Sequence, residues 1–197
     1  MRKFAFTFIA CAALAFGALA HAQQTDVGVG GSTLFSSAPP IGVVNFQPPA
    51  ENGGTYINLS FNTVRWAHHL GFQAETAWRY HVARFANGTE TYRPIFTDVD
   101  ALYRYHARNR VDIDFLGGVG IDSTRFNLIS TCSIPGCQDY TSTNHLMETL
   151  GVGVRYRAWR HFFVRPELHY YHVQNNDAFH TDNLFRAEVT VGRLWGK

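Results

Sequence analysis

Net charge is the first thing that this sequence lacks. Its 17 lysines and arginines stand against 15 acidic residues, which gives a formal charge of +2. Two of the basic residues, Arg2 and Lys3, lie at the extreme N-terminus, so the rest of the chain is formally neutral. A nucleic-acid-binding domain presents a strongly basic face. We therefore expect no nucleic-acid partner.

The sequence also lacks helical periodicity and an uninterrupted apolar run of 20 residues. The missing run argues against a transmembrane helix, which needs about 20 consecutive apolar residues. The missing 3.6-residue period argues against a helical bundle. From Thr55 onward, apolar and polar residues alternate instead, which is the pattern of β-strands.

A shorter apolar run begins the chain. It extends from Phe4 to about Ala20, follows Arg2 and Lys3, and ends in Ala20-His21-Ala22. A basic start, an apolar middle and a small-x-small end are typical of a cleaved signal peptide. We predict a signal peptide at 1–22 and one exported domain at 23–197.

Cysteine is scarce, with three in the chain. Cys11 lies in the predicted signal peptide, whereas Cys132 and Cys137 flank Ser-Ile-Pro-Gly. An even pair in an exported protein indicates a disulfide. A metal site would need two more ligands near them in sequence, and none is there. We expect neither a metal nor a cofactor.

The alternation defines the strands. In one of them Leu70, Phe72 and Ala74 share a face, and Gln73 and Glu75 lie opposite. Predicted strands are 55–64, 70–82, 93–105, 111–126, 144–157, 162–174 and 184–195. Short and long connections alternate between them, and an eighth strand at 25–35 is needed to bring the N-terminus to the end where the last strand finishes. The predicted fold is all-β: an eight-stranded antiparallel up-and-down transmembrane β-barrel.

Three features favour a membrane barrel over a soluble sandwich. Most of the strands are about ten residues or longer, as a tilted crossing requires. Aromatic residues such as Trp78, Tyr105 and Trp159 mark their ends, as in a membrane girdle. The polar faces mix acidic and basic residues with glycine, as the packed interior of a narrow barrel does.

The same parity predicts which charged residues point inward. They are Glu75, Arg79, Asp98, Asp100, Arg104, Asp112, Asp114, Arg155, Arg165, Glu167, His169, Arg186 and Glu188. Unpaired buried charge is costly, so we expect a salt-bridge network with nearly balanced charges that fills the lumen and leaves no wide pore. An ion path or a ligand pocket is the alternative interpretation of the same residues.

The alternation and the final segment AEVTVGRLWGK, with Trp195 near its end, resemble small outer-membrane β-barrels of Gram-negative envelopes. The resemblance covers the signal peptide and nearly the whole mature chain. It implies an outer-membrane location and a monomer in contact with outer-membrane lipid and lipopolysaccharide. It also implies that the assembly machinery reads the last strand. The function it implies is envelope structure, adhesion or binding through long loops near 36–54 and 127–143.

The C-terminal part is also similar to lipid A deacylase barrels, which carry His-x-Ser-Asn late in the chain. Here the matching stretch is His172-Val173-Gln174-Asn175, followed by Asn183. The resemblance implies a lipid-facing His172, and parity places Glu148 beside it on the neighbouring strand. Gln174 stands where the family has its serine nucleophile, and Asp177 or Asp182 fits the family's order better than Glu148. The alternatives are an acyl hydrolase, inactivated by Gln174 or rearranged, and polar residues at the barrel rim.

Overall fold

The computed structural model describes residues 24–36, 52–66, 69–85, 90–128, 140–176 and 181–196. The predicted signal peptide, Cys132, Cys137 and Asp177 lie outside these residues. In the described part of the chain, no helix is long and apolar enough to cross a membrane.

All of the regular structure in the described residues is β-strand. The strands are β1 (Gln24–Ser36), β2 (Tyr56–Trp66), β3 (Leu70–Arg79), β4 (Ala83–Phe85), β5 (Glu90–Arg108), β6 (Val111–Leu128), β7 (Tyr140–Trp159), β8 (Phe162–Val173) and β9 (Asn183–Gly196). The three-residue β4 continues β3 after a bend and pairs with the start of β5. Because β3 and β4 together form one bent strand, the nine segments make eight barrel strands.

The eight strands close into a barrel. Each pairs antiparallel with its sequence neighbours, and β3 pairs with β5 across the short β4. Closure comes from β1, which pairs with β9 from Gln24↔Gly196 to Ser36↔Leu184. The predicted eight-stranded antiparallel barrel is confirmed. The glycine-rich first strand, predicted at 25–35, is the segment that seals it.

Burial alternates along the strands as the sequence pattern requires. In β8, Arg165 and Glu167 are buried, whereas Pro166 and Leu168 are exposed. The outward positions carry a band of aliphatic side chains, such as Val29, Val119 and Leu150. Aromatic residues border this band at both ends of the barrel: Trp159, Trp195, Tyr105, Tyr156 and Phe162 at the end with short turns, and Phe35, Tyr80 and Phe185 at the other. Such a girdled apolar band matches a membrane-spanning barrel.

Three strands are much longer than the others. β5, β6 and β7 have 19, 18 and 20 residues, whereas β8 has 12. The excess lies at the loop end, where the ladders continue to Glu90↔Leu128 and Asn127↔Tyr140. We call residues 90–95, 123–128 and 140–144 the raised wall. The predicted strands 93–105, 111–126 and 144–157 enter this wall but end before its outermost residues, because polar residues there break the apolar alternation while backbone pairing continues.

Candidate functional site

The interior of the barrel holds three groups of charged residues. The first lies near the turn end and contains Asp26, Arg104, Asp114 and Arg155. Arg104 Nε and Nη2 donate to the two oxygens of Asp114 at 2.7 and 3.1 Å. Arg155 Nη2 lies 3.2 Å from Asp114 Oδ2 and its Nη1 donates to Asp26. These residues are almost fully buried, so each guanidinium is held by carboxylates as a buried charge requires.

The second group lies at mid-height and contains Glu75, Arg165, Glu167, Arg186 and Glu188. Arg165 Nε is 2.7 Å from Glu167 Oε2. Arg186 Nη2 donates to Glu75 and lies 2.9 Å from Glu188 Oε2. Two arginines thus form ion pairs with three carboxylates.

His169 belongs to the same layer. It is fully buried and stacks on Tyr171 with ring centroids 5.9 Å apart. Neither ring nitrogen has a hydrogen-bond partner among the described residues. A buried imidazole without a partner is costly, and it therefore calls for an explanation.

The third group lies nearer the loop end and consists of Asp98, Asp100 and Asp122. Hydroxyl groups hold all three: Tyr171 donates to Asp98 at 3.5 Å, Thr149 donates to Asp100, and Thr124 donates to Asp122 at 3.1 Å. Within the described residues, none of the three forms a salt bridge with an arginine.

The charges of the interior do not balance. The buried carboxylates are Asp26, Glu75, Asp98, Asp100, Asp112, Asp114, Asp122, Glu167 and Glu188. The buried arginines are Arg104, Arg155, Arg165 and Arg186. Near balance was predicted for the inward set, whereas the described buried set holds more carboxyl groups than arginines. Asp26 and Asp122 were missed, although Asp122 shares the parity of Asp112 and Asp114.

Two residues of the predicted inward set lie at the margins of the barrel. Arg79 is half-buried at the loop end, 5.5 Å from the centre of the Tyr92 ring. Asp112 is buried at the turn end, where His106 Nδ1 at 2.7 Å and Arg157 Nη2 at 3.2 Å contact its Oδ1. Neither takes part in the three groups.

Apolar side chains cover the charged layers. The loop-end cluster comprises Leu34, Tyr56, Ala77, Phe96, Met147, Tyr171, Val173 and Leu184. A smaller cluster of Val64, Leu102 and Leu116 lies towards the turn end. We call the first cluster the plug. Its residues share the inward parity of the charged ones, but we predicted only charged residues and His169 for the inward face.

The residues of the predicted hydrolase site meet on the outer surface. The β7–β8 register places Glu148 directly opposite His172. However, Glu148 Oε1 accepts a hydrogen bond from Gln174 Nε2 at 3.2 Å, and His172 Nδ1 is 3.2 Å from Asn183 Oδ1. Tyr170 also donates to Asn183, at 2.5 Å. Gln174 offers an amide rather than a hydroxyl at the position that the family resemblance assigns to the nucleophile.

The raised wall carries a cluster of arginines on its outward face. Arg93 on β5 lies directly opposite Arg125 on β6, and both are exposed. Arg125 packs over the Tyr140 ring at 4.2 Å, and Arg93 Nε donates to the Arg79 carbonyl at 3.0 Å. Arg84 on β4 is exposed beside them. Like charges at directly opposite positions destabilise a sheet, so this pair favours an anionic partner.

A family model described as "Outer membrane protein beta-barrel domain" matches residues 6–191. The chain belongs to this family. It is a protein of the outer membrane. No curated protein matches the chain.

Solved structures of outer-membrane proteins share the fold of this outer-membrane β-barrel protein. Ail of Yersinia pestis, in complex with the heparin analogue sucrose octasulfate, aligns with a TM-score of 0.58 and 12% identity over 87% of this chain and 98% of that one. Neisserial surface protein A aligns with a TM-score of 0.55 and 9% identity over 88% and 96%. OprG of Pseudomonas aeruginosa aligns with a TM-score of 0.53 and 12% identity over 90% and 98%. At these identities the likeness extends to the fold alone.

Proposed function

We propose that this outer-membrane β-barrel protein is a closed membrane anchor whose raised wall binds the phosphate groups of lipopolysaccharide. The observation that carries the proposal is the outward pair Arg93 and Arg125, in register on neighbouring strands. A guanidinium binds phosphate through two parallel hydrogen bonds, and an anion between two guanidiniums removes their repulsion.

The position of the wall supports this ligand. The outward faces of β5, β6 and β7 are continuous from the apolar band to Arg93 and Arg125. With the long loops facing the cell exterior, the arginines follow directly above the acyl chains, at the level of the lipopolysaccharide phosphates. Ail, with the same fold, was crystallised with a sulfated heparin analogue. The chemistry proposed for this chain is of the same anionic kind.

The barrel also supports the proposed monomer and assembly route. In the described part of the chain, the membrane-spanning parts of the strands pair on both sides, so they offer no free edge to a second copy. Unpaired edges lie at the loop end, on β4 and on residues 140–145 of β7. The C-terminal β9 keeps Trp195 exposed. It is the segment we expect the assembly machinery to read.

Binding of purified lipopolysaccharide to the refolded protein tests the proposal. We expect an Arg93→Ala/Arg125→Ala variant to bind about tenfold more weakly, equivalent to ~1.4 kcal/mol. Rising salt should weaken binding by the wild type, because exposed charges are screened. Dephosphorylated lipopolysaccharide should bind wild type and variant alike.

The matched control is Arg108→Ala/Arg110→Ala, which removes two exposed arginines from the opposite end of the same hairpin. This control should bind as the wild type does. Equal weakening of both variants would show a non-specific charge effect, and no weakening of the wall variant would refute the assigned site.

A further inference from the structure

Four buried side chains converge in the middle layer of the barrel. Glu75 on β3, Glu167 and His169 on β8, and Glu188 on β9 each offer one ligand atom, and these atoms all lie within 4.8 Å of one another. None of the four is more than 5% exposed. Glu167 and Glu188 are directly opposite in the β8–β9 register. Two ionised carboxylates so placed repel each other, and either a shared proton or a cation between them removes the repulsion.

His169 points to a ligand independently of the carboxylates. It is fully buried, and within the part of the chain that the structure describes both of its ring nitrogens lack a hydrogen-bond partner. Burying such a group without a partner costs free energy. Coordination of a metal by one ring nitrogen would satisfy it, since neutral imidazole is a common metal ligand. Glu167 Oε1 is likewise buried without a hydrogen-bond partner.

The net charge around the cluster is compatible with a bound cation. Arg165 and Arg186 pair with the three carboxylates of the cluster, which leaves one negative charge in excess. The same holds more widely, because among the described residues nine buried carboxyl groups face four buried arginines. A divalent cation offsets this excess where the carboxylates are densest.

The neighbouring strand β7 leaves space for the side chains of the cluster. Gly151 and Gly153 on β7 lie opposite His169 and Glu167. A Cβ at position 151 would lie 3.1 Å from His169 Nδ1, and one at 153 would lie 3.0 Å from Glu167 Oε1. Side chains at these positions would press the imidazole and the carboxylate out of place. The two glycines therefore keep the cluster open on this side.

We propose that Glu75, Glu167, His169 and Glu188 bind a divalent transition-metal ion of the zinc type inside the barrel. One imidazole nitrogen with carboxylate oxygens suits zinc and similar ions, whereas calcium and magnesium prefer oxygen ligands alone. Arg165 and Arg186 would hold the carboxylates from outside, as hydrogen-bonded neighbours of metal ligands do. Sequence spacing did not reveal the site, because its four residues come from three strands.

Metal retention after refolding tests the proposal. Because the site is enclosed, the tag-free mature protein is refolded in detergent with Zn²⁺, washed with a chelator, and its zinc measured by mass spectrometry. We expect about one zinc per barrel to survive the wash. His169→Gln should lose it, whereas His172→Gln, which changes an outward histidine of the same strand, should keep it.

Folding of each variant is checked by heat-modifiable gel mobility. Should His169→Gln fail to fold, the zinc X-ray absorption spectrum of the wild type decides, since one imidazole nitrogen with oxygen ligands is expected there. Three results would overturn the proposal: no retained zinc in the folded wild type, equal retention in folded His169→Gln, or a spectrum with sulfur or several imidazoles.

Discussion

Asp114 is a carboxylate shared by two arginines at the turn end of the barrel. It accepts two hydrogen bonds from Arg104 and lies 3.2 Å from Arg155, and both arginines are fully buried. The pairing makes burial of these charges tolerable without making it strongly stabilising. Removing the shared carboxylate is strongly destabilising, because two buried guanidiniums then each lose a charged partner and cannot be solvated by water instead.

We therefore expect Asp114→Ala to lower the free energy of unfolding by about 3–5 kcal/mol. Urea titration of the refolded protein, followed by tryptophan fluorescence, measures the change. Glu148→Ala is the control, because Glu148 is exposed and bonded to Gln174, and it should cost less than ~1 kcal/mol. Similar losses in the two variants would contradict a special role for buried pairing.

The strand β8 shows how alternation divides one element between two environments. Arg165, Glu167 and His169 are buried in the lumen, whereas Leu168 on the same strand is exposed on the membrane face. His172 follows on the outward side, opposite Glu148. An imidazole and a carboxylate there resemble part of a hydrolytic site, but each has an amide partner instead of the other, and hydrolysis through an acyl-enzyme needs a nucleophile.

We expect that expression of the protein removes no acyl chain from lipid A. Mass spectrometry of lipid A from cells with and without the protein tests this expectation, and the His172→Ala variant serves as the comparison. Loss of an acyl chain with the wild type, abolished in His172→Ala, would establish hydrolase activity at this rim. Loss that persists in the variant would place the activity elsewhere.

The elements also show what a sequence can reveal and what it cannot. Parity predicted the barrel and the inward positions of residues such as Arg104, because alternation is a local property of each strand. The outermost residues of the raised wall, 90–92, 127–128 and 140–143, were missed, since backbone pairing there continues beyond the apolar alternation. The cluster around His169 was missed as well, because only the register of three strands brings Glu75 and Glu188 to it.

At the scale of the whole molecule, large buried side chains occupy the interior of the described barrel at several levels. The plug lies at the loop end, with Phe96 and Tyr171 stacked at 5.7 Å, and the arginine layers lie beneath it. An eight-stranded barrel is only wide enough for its own side chains, and here they are large. We therefore propose that the protein acts at its surface and that the described residues leave no open route for a solute.

We accordingly expect no steady single-channel conductance when the refolded wild type is reconstituted in planar bilayers with concentrated KCl. A Phe96→Ala/Tyr171→Ala variant, which shortens two side chains of the plug, should also stay closed, because Arg165 and Arg186 still fill the layer below. Gel mobility confirms that both proteins have folded before the measurement. Steady current steps from the wild type would show a continuous path through the barrel. They would favour the alternative in which the charged interior is an ion path. Steps from the plug variant alone would show that the aromatic layer, rather than the arginines, closes the barrel.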